Sequence, residues 1–262
     1  MAELANRPEL IADFQDKLEK LNRKQAAEFR RLLGAPPSAD NVPSSFWDRV
    51  RRENEDEVAA ALLLIFMTSY DAHRTWGDME PPRDNSRRDT IAEKWTTKRA
   101  KTVATELVAH SVDMLDTTGK AWSIKTAKGI EIPKQDIDEL ITKIFGEGRA
   151  KSIAFTETSQ GMVNGGEAGV RHAGKKITAY WCHSTFRPRG HSHAARQPCK
   201  ICTRLEGKPE GQWEGFRPGE AHPNCDCFPG YIDEDGYMIG TDNLGLVPGN
   251  VPGRPPWKFL PY

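Results

Sequence analysis

ITAYWCHSTF, Ile177 to Phe186, is where this chain changes character. Its β-branched and aromatic residues favour an extended strand, and beyond it Gly, Pro and short polar clusters dominate. Everything upstream reads as helix. The expected fold class is therefore α+β: a mainly helical N-terminal half followed by a small, loop-rich, zinc-knuckle-like α+β module. The expected segments are 1–147, 148–230 and a Pro/Gly-rich tail over 231–262.

The helical half follows from periodicity. In PELIADFQDKLEKLNRKQAAEFRRLLG the residues Ile11, Phe14, Leu18, Leu21, Phe29 and Leu32 recur mostly at three or four, lining one face, and Gly34 with Pro36 and Pro37 ends the helix. A second helix is expected from Pro43-Ser44-Ser45, where Ser45 and Asp48 have capping-box spacing, carrying Val50, Val58, Leu62 and Ile65 toward Trp76. A third runs from about Ser86 to Leu115 with Ile91, Trp95, Val103, Leu107 and Val108 in phase. A shorter fourth holds Ile137, Leu140, Ile141 and Ile144, and Gly146 with Gly148 punctuates the chain after it. Such apolar stripes exist to bury one face against a core.

Composition excludes several classes. At 262 residues the chain buries a core without covalent staples. The start, MAELANRPELIADF, lacks the features of a secretory signal, so reduced thiols are expected for the five cysteines. The longest apolar run, AAALLLIFM from Ala59 to Met67, is about half the ~20 residues a bilayer span needs, which argues against a membrane partner. Net charge is zero, yet residues 148–204 hold ten Lys or Arg against two acids, Glu157 and Glu167, so the remainder is acidic by eight charges.

The chemistry-bearing residues lie downstream of the strand. Cys199-Lys200-Ile201-Cys202 is a Cys-x-x-Cys pair, and His222-x-x-Cys225-x-Cys227 follows about twenty residues later. Two knuckles at this separation can meet to form the tetrahedral shell that structural zinc prefers. Five candidates compete for four places: Cys199, Cys202 and Cys225 are expected as core ligands, with His222 and Cys227 contesting the fourth, and Cys182 outside. The basic run from Arg187 to Arg196, with Lys200 and Arg204 beside it, is a candidate phosphate-contacting patch. Arg187, Arg189, Arg196, Lys200 and Arg204 would bind nucleic acid weakly and without sequence preference. His191 and His193 carry only a weak metal signal. No nucleophile elbow, phosphate-binding glycine loop or assignable triad is present.

The order RAKSIAFTETSQ, then YW, then CKICTRLEGK, then PGEAHPNCDC resembles the Mu F-like minor head proteins of tailed phages, the phage head morphogenesis family. Matching positions are Arg149, Ala150, Ile153, Ala154, Thr156, Glu157, Trp181, Cys199, Cys202, Leu205, Gly207, Pro218, His222, Pro223, Asn224, Cys225 and Cys227, within residues 148–230. One departure is Asp226, where the family usually has Arg. The resemblance implies a non-enzymatic virion component in the head interior, made in the host cytoplasm and associated with the portal protein and with capsid or scaffold proteins. It would act in head morphogenesis, DNA packaging or genome delivery, with the helical region 1–147 docking on portal or capsid. The alternative is a zinc-containing nuclease or nucleic-acid-binding protein of the HNH type, with His222 or His191 as base.

Overall fold

A computed structural model of the chain describes residues 7–74, 85–174, 176–182, 200–222, 225, 227–234, 237–239 and 258–259. Six α-helices and four strands are built from them: α1 (Arg7–Leu33), α2 (Ser44–Arg74), α3 (Ser86–Ala127), α4 (Lys134–Phe145), α5 (Glu147–Ala173), β1 (Ile177–Cys182), α6 (Lys200–Leu205), β2 (Phe228–Asp233), β3 (Tyr237–Ile239) and β4 (Lys258–Phe259). The class is α+β, as the change of character at Ile177 implies. No helix among the described residues is long and apolar enough to cross a membrane.

The chain forms two compact units, both assembled from discontinuous stretches. The first comprises Asp13–Ala61 and Trp95–Ala154; the second comprises the described residues of Met1–Ala12, Leu62–Lys94 and Phe155–Tyr262. A sequential cut at 147/148 was the expectation. Instead that point lies in the opening turn of α5, because Gly146 ends α4 through its N–H on the Thr142 carbonyl and the next residue starts a new helix.

In the first unit the aromatic rings of α1, α2 and α4 converge. Phe29 lies 5.9 Å from Phe46, 5.7 Å from Trp47 and 5.5 Å from Phe145, ring centre to ring centre. Gly34 takes a positive φ of 75°, which reverses the chain after α1, and Asn41 Nδ2 donates to the Leu33 carbonyl at 2.9 Å. The third helix continues twelve residues past the expected end at Leu115. Its last turns, DTTGKAWSIKTA, are poor helix formers, but they carry Trp122 into the same core as Leu115, and that burial overrides propensity. Arg149 fastens the unit. Its guanidinium donates to Ser111 Oγ (2.8 Å), the Ile144 carbonyl (2.6 Å) and the Leu107 carbonyl (2.7 Å), tying α5 to α4 and α3.

In the second unit α5 packs against the end of α2 through a stripe of glycines. A Cβ at Gly165 would lie 2.3 Å from the Phe66 carbonyl oxygen, and one at Gly169 would lie 2.4 Å from that of Tyr70, so side chains are excluded by backbone. The close approach is locked by Ser69 Oγ, which donates to the Met162 carbonyl at 2.6 Å. The sheet follows in the order β1-β2-β3-β4. β1 and β2 are antiparallel, from Ile177↔Asp233 to Cys182↔Phe228; β2 and β3 are antiparallel, and β3 and β4 parallel. The expected boundary at 230/231 thus falls inside β2, and two further strands come from the segment read as tail, since strand pairing needs only backbone groups that Gly and Pro nearby do not remove.

Candidate metal centre

The site grows from a clip on the edge of the sheet. Trp181 N–H donates to the Lys208 carbonyl at 2.9 Å and Gly207 N–H returns to the Trp181 carbonyl at 2.8 Å. These two bonds hold the turn after α6 against β1. Gly207 adopts a positive φ of 71°, the conformation that lets α6 end after six residues. Cys202 and Leu205, one turn apart, consequently face the same way and are both buried.

The second arm is the turn preceding β2. Cys225 N–H donates to the His222 carbonyl at 3.1 Å, closing a tight turn that points imidazole and thiol to one side. Gly219, with φ of 76°, sits where a Cβ would be 3.0 Å from Val163 Cγ2 and 3.3 Å from the Ser159 carbonyl oxygen. Its amide is thereby directed at the Cys225 sulfur.

The two arms bring Cys202, His222 and Cys225 together, with one donor atom from each lying within 4.8 Å of the others. Cys202 Sγ is 3.6 Å from His222 Nε2 and 3.9 Å from Cys225 Sγ. These separations can be compared with the edges of a tetrahedron. Bonds of about 2.3 Å to sulfur and 2.0–2.1 Å to nitrogen give edges of roughly 3.8 Å between sulfurs and roughly 3.5 Å from sulfur to nitrogen. The spacing matches a tetrahedral ion and is nearly twice the length of a disulfide, about 2.0 Å. The described cysteines are all free thiols.

Electrostatics favours a thiolate at Cys225. Hydrogen bonds from Cys202 and then Cys227 push its pKa well below the usual thiol range, the backbone amides of Cys227 and Gly219 add to this, and burial opposes it. Cys227 moves the other way: beside Cys202 and Cys225, and buried, its thiol is pushed up.

The structure places the other expected residues as follows. His222 joins Cys202 and Cys225, whereas Cys227 is buried next to them and is not one of the three. Cys199, Arg187, Arg189, Arg196, His191, His193, Pro223, Asn224 and Asp226 lie outside the described residues. Cys182 is buried on β1 with its sulfur 3.6 Å from the Tyr180 carbonyl.

Of the expected phosphate patch, Lys200 and Arg204 are the residues described. Lys200 is exposed, but Arg204 pairs with Glu214 at 2.6 Å. Arg171 pairs with Glu167 at 2.5 Å, and Arg149 is spent on carbonyls. Counting charges within residues 148–204 missed Glu214, which comes from outside the basic stretch.

Sequence reading also missed the surroundings of the centre. Glu167 bridges Arg171 and Arg217, and Arg217 reaches Glu220, which accepts from Asn164 Nδ2 at 3.0 Å. A small cavity beside Cys227 is lined by Arg7, His73, Ser159 and Tyr231 among others. Arg7 donates to Ser159 Oγ at 2.7 Å, and His73 Nδ1–H donates to the Ser69 carbonyl at 2.8 Å while its ring meets Tyr231 edge to face. Full burial pushes the His73 pKa down to about 4. No periodicity joins residues drawn from four distant segments. Comparison of the chain with models of protein families, with curated proteins and with solved structures found no match.

Proposed function

We propose that this chain is a non-enzymatic assembly component of a tailed-phage head, a minor head protein working with the portal, whose C-terminal module is closed by one structural zinc ion. The observation that carries the reading is where the motif residues lie. Trp181, Cys202, Leu205, Cys225 and Cys227 pack into one core cluster, Gly207 clips it to β1, and Ala150, Ala154 and Glu157 are buried on α5. A motif made of core residues and metal ligands specifies a fold rather than a reaction.

Cys202, His222 and Cys225 would hold zinc, which supplies a cross-link between α6 and the turn before β2. That link matters in a module whose helix α6 is only six residues long. Soft sulfur donors with one imidazole favour zinc over magnesium or calcium. The charged groups nearby support the same reading. A hydrolytic site needs a base with an orienting partner, and Glu167, Arg171, Arg217 and Glu220 are engaged with one another.

The test is twofold. Co-expressed with a portal protein, the chain should co-purify with it and be recovered from portal-containing particles. Incubated with single- and double-stranded DNA and magnesium or manganese, it should cleave neither. Cleavage by the parent that disappears in His222→Ala would replace this reading with the nuclease.

A further inference from the structure

Strand β1 has a neighbour on each edge. On one side β2 places Tyr231 opposite Ala179, and on the other Pro209 forms an isolated bridge to Tyr180. Adjacent strands stand about 4.8 Å apart, so Tyr231 and Glu210, the residue after Pro209, flank Ala179 from segments roughly 10 Å apart. Alanine puts only a methyl group between them. The space left is a cavity of about 190 Å³, lined by these three residues and also by Trp213, Glu167, Arg171 and Arg217. It lies wholly within the second unit, and Cys202, His222 and Cys225 are not among its walls.

The polar groups lining this cavity divide into engaged and free. Glu167 accepts from Arg171 and Arg217, and Arg217 also faces Glu220. Among the described residues the exposed Glu210 carboxylate takes part in no ion pair or hydrogen bond. The hydroxyl of Tyr231, a residue only 2% exposed, has no hydrogen-bond partner among them either. A polar group buried so deeply is ordinarily hydrogen-bonded, and the cavity is where its partner belongs.

We propose that this cavity binds a primary alkylamine, with the ammonium held by the Glu210 carboxylate and the Tyr231 hydroxyl and the alkyl chain lying against Ala179 and Trp213. The free groups select the charge. A carboxylate and a phenol oxygen both accept, and an ammonium offers donors alone. Two acceptors suit its compact charge, whereas the planar fork of a guanidinium calls for more. An anion would meet the carboxylates of Glu167 and Glu210, while the guanidiniums that could offset them are already paired. Size agrees as well: a cavity of about 150 Å³ accommodates benzene, so this one has room for a short alkyl chain with a polar end. The site requires neither zinc nor a portal partner.

The experiment titrates the full-length chain with n-butylamine, 1-butanol and pentanoate, which share an alkyl chain and differ in charge at neutral pH, and follows each by saturation-transfer NMR. The amine should bind with a roughly millimolar dissociation constant, the alcohol more weakly, and pentanoate not at all. Glu210→Gln and Tyr231→Phe should each weaken the amine about fivefold. Glu210 is exposed and Tyr231→Phe keeps the ring, so both variants should fold, as circular dichroism checks. A blocked lysine, Nα-acetyl-lysine N-methylamide, separates two sources of the same chemistry. Affinity equal to that of n-butylamine assigns the site to a lysine side chain of another protein, and exclusion of the blocked lysine assigns it to a free amine. Pentanoate binding as tightly as the amine overturns the proposal. So does unchanged amine affinity in either variant, or a parent with no saturable binding of the amine.

Discussion

Replacing Gly165 by alanine adds one methyl group where α5 meets the end of α2. The new Cβ would lie 2.3 Å from the Phe66 carbonyl oxygen, 3.0 Å from its carbon and 3.1 Å from its Cα. All three are backbone atoms, so no side-chain rotation relieves the clash and the helices must separate locally by about 1 Å to restore ordinary contact. Overpacking of this kind costs about 1–3 kcal/mol, and a backbone obstacle places it at the upper end. The separation also loosens Ile65, Phe66 and Tyr70, which are all fully buried, and stretches the Ser69–Met162 bond. Against this, alanine in a helix interior is about 1 kcal/mol better than glycine. The net expectation is a loss of about 2 kcal/mol, or roughly 4–8 °C in Tm for a protein of this size. Gly148→Ala is the control: it lies in the first turn of the same helix with no atom within 4 Å of its Cβ, and should be neutral or stabilising. Both are measured by thermal and urea unfolding followed by circular dichroism. Equal stability of the two variants would refute the close approach of α5 to α2.

Three further outcomes are expected. Cys202→Ser should lose tightly bound metal and loosen the C-terminal module, while Cys182→Ser should retain the metal, as read by metal content and native thiol reactivity; retention in both would remove Cys202 from the site. Arg149→Met leaves the carbonyls of Ile144 and Leu107 without their charged donor and should cost about 2–3 kcal/mol in urea unfolding, and a loss under about 0.5 would show the bonds to be incidental. For His73, with a folded pKa of about 4 against an unfolded value of 6.5, the unfolded chain takes up a proton first as pH falls. Stability should be independent of this group above pH 6.5 and decline by about 3 kcal/mol between 6.5 and 4. His73→Gln, which can keep a donor, should flatten that part of the curve; an unchanged slope would mean the parent ring is charged or exposed.

Some features of the chain are local and were legible directly. The apolar period of 3.6 in α1, the stop at Gly34 and the β-rich run at Ile177 each depend on residues a few positions apart, and each is present in the structure. Where propensity and packing disagree, the sequence misleads: DTTGKAWSIKTA is helical because Trp122 reaches a core, and the glycines of α5 sit mid-helix because backbone stands in place of their side chains. The Ser45–Asp48 capping spacing is another such case, since α2 begins at Ser44 and Asp48 instead accepts from Arg51 at 2.9 Å.

The sequence by itself determined which residue types were available for a metal and that helix would yield to strand at Ile177. Only the tertiary structure decided that His222, rather than Cys227, stands with Cys202 and Cys225, that Arg204 and Arg171 pair with Glu214 and Glu167, and that residues 231–233 belong to the sheet. The physical reason is range. Periodicity and turn chemistry act over a few residues of chain, whereas donor distances, ion pairs and strand partners are fixed by contacts between segments tens of residues apart, about which a linear pattern carries no distance.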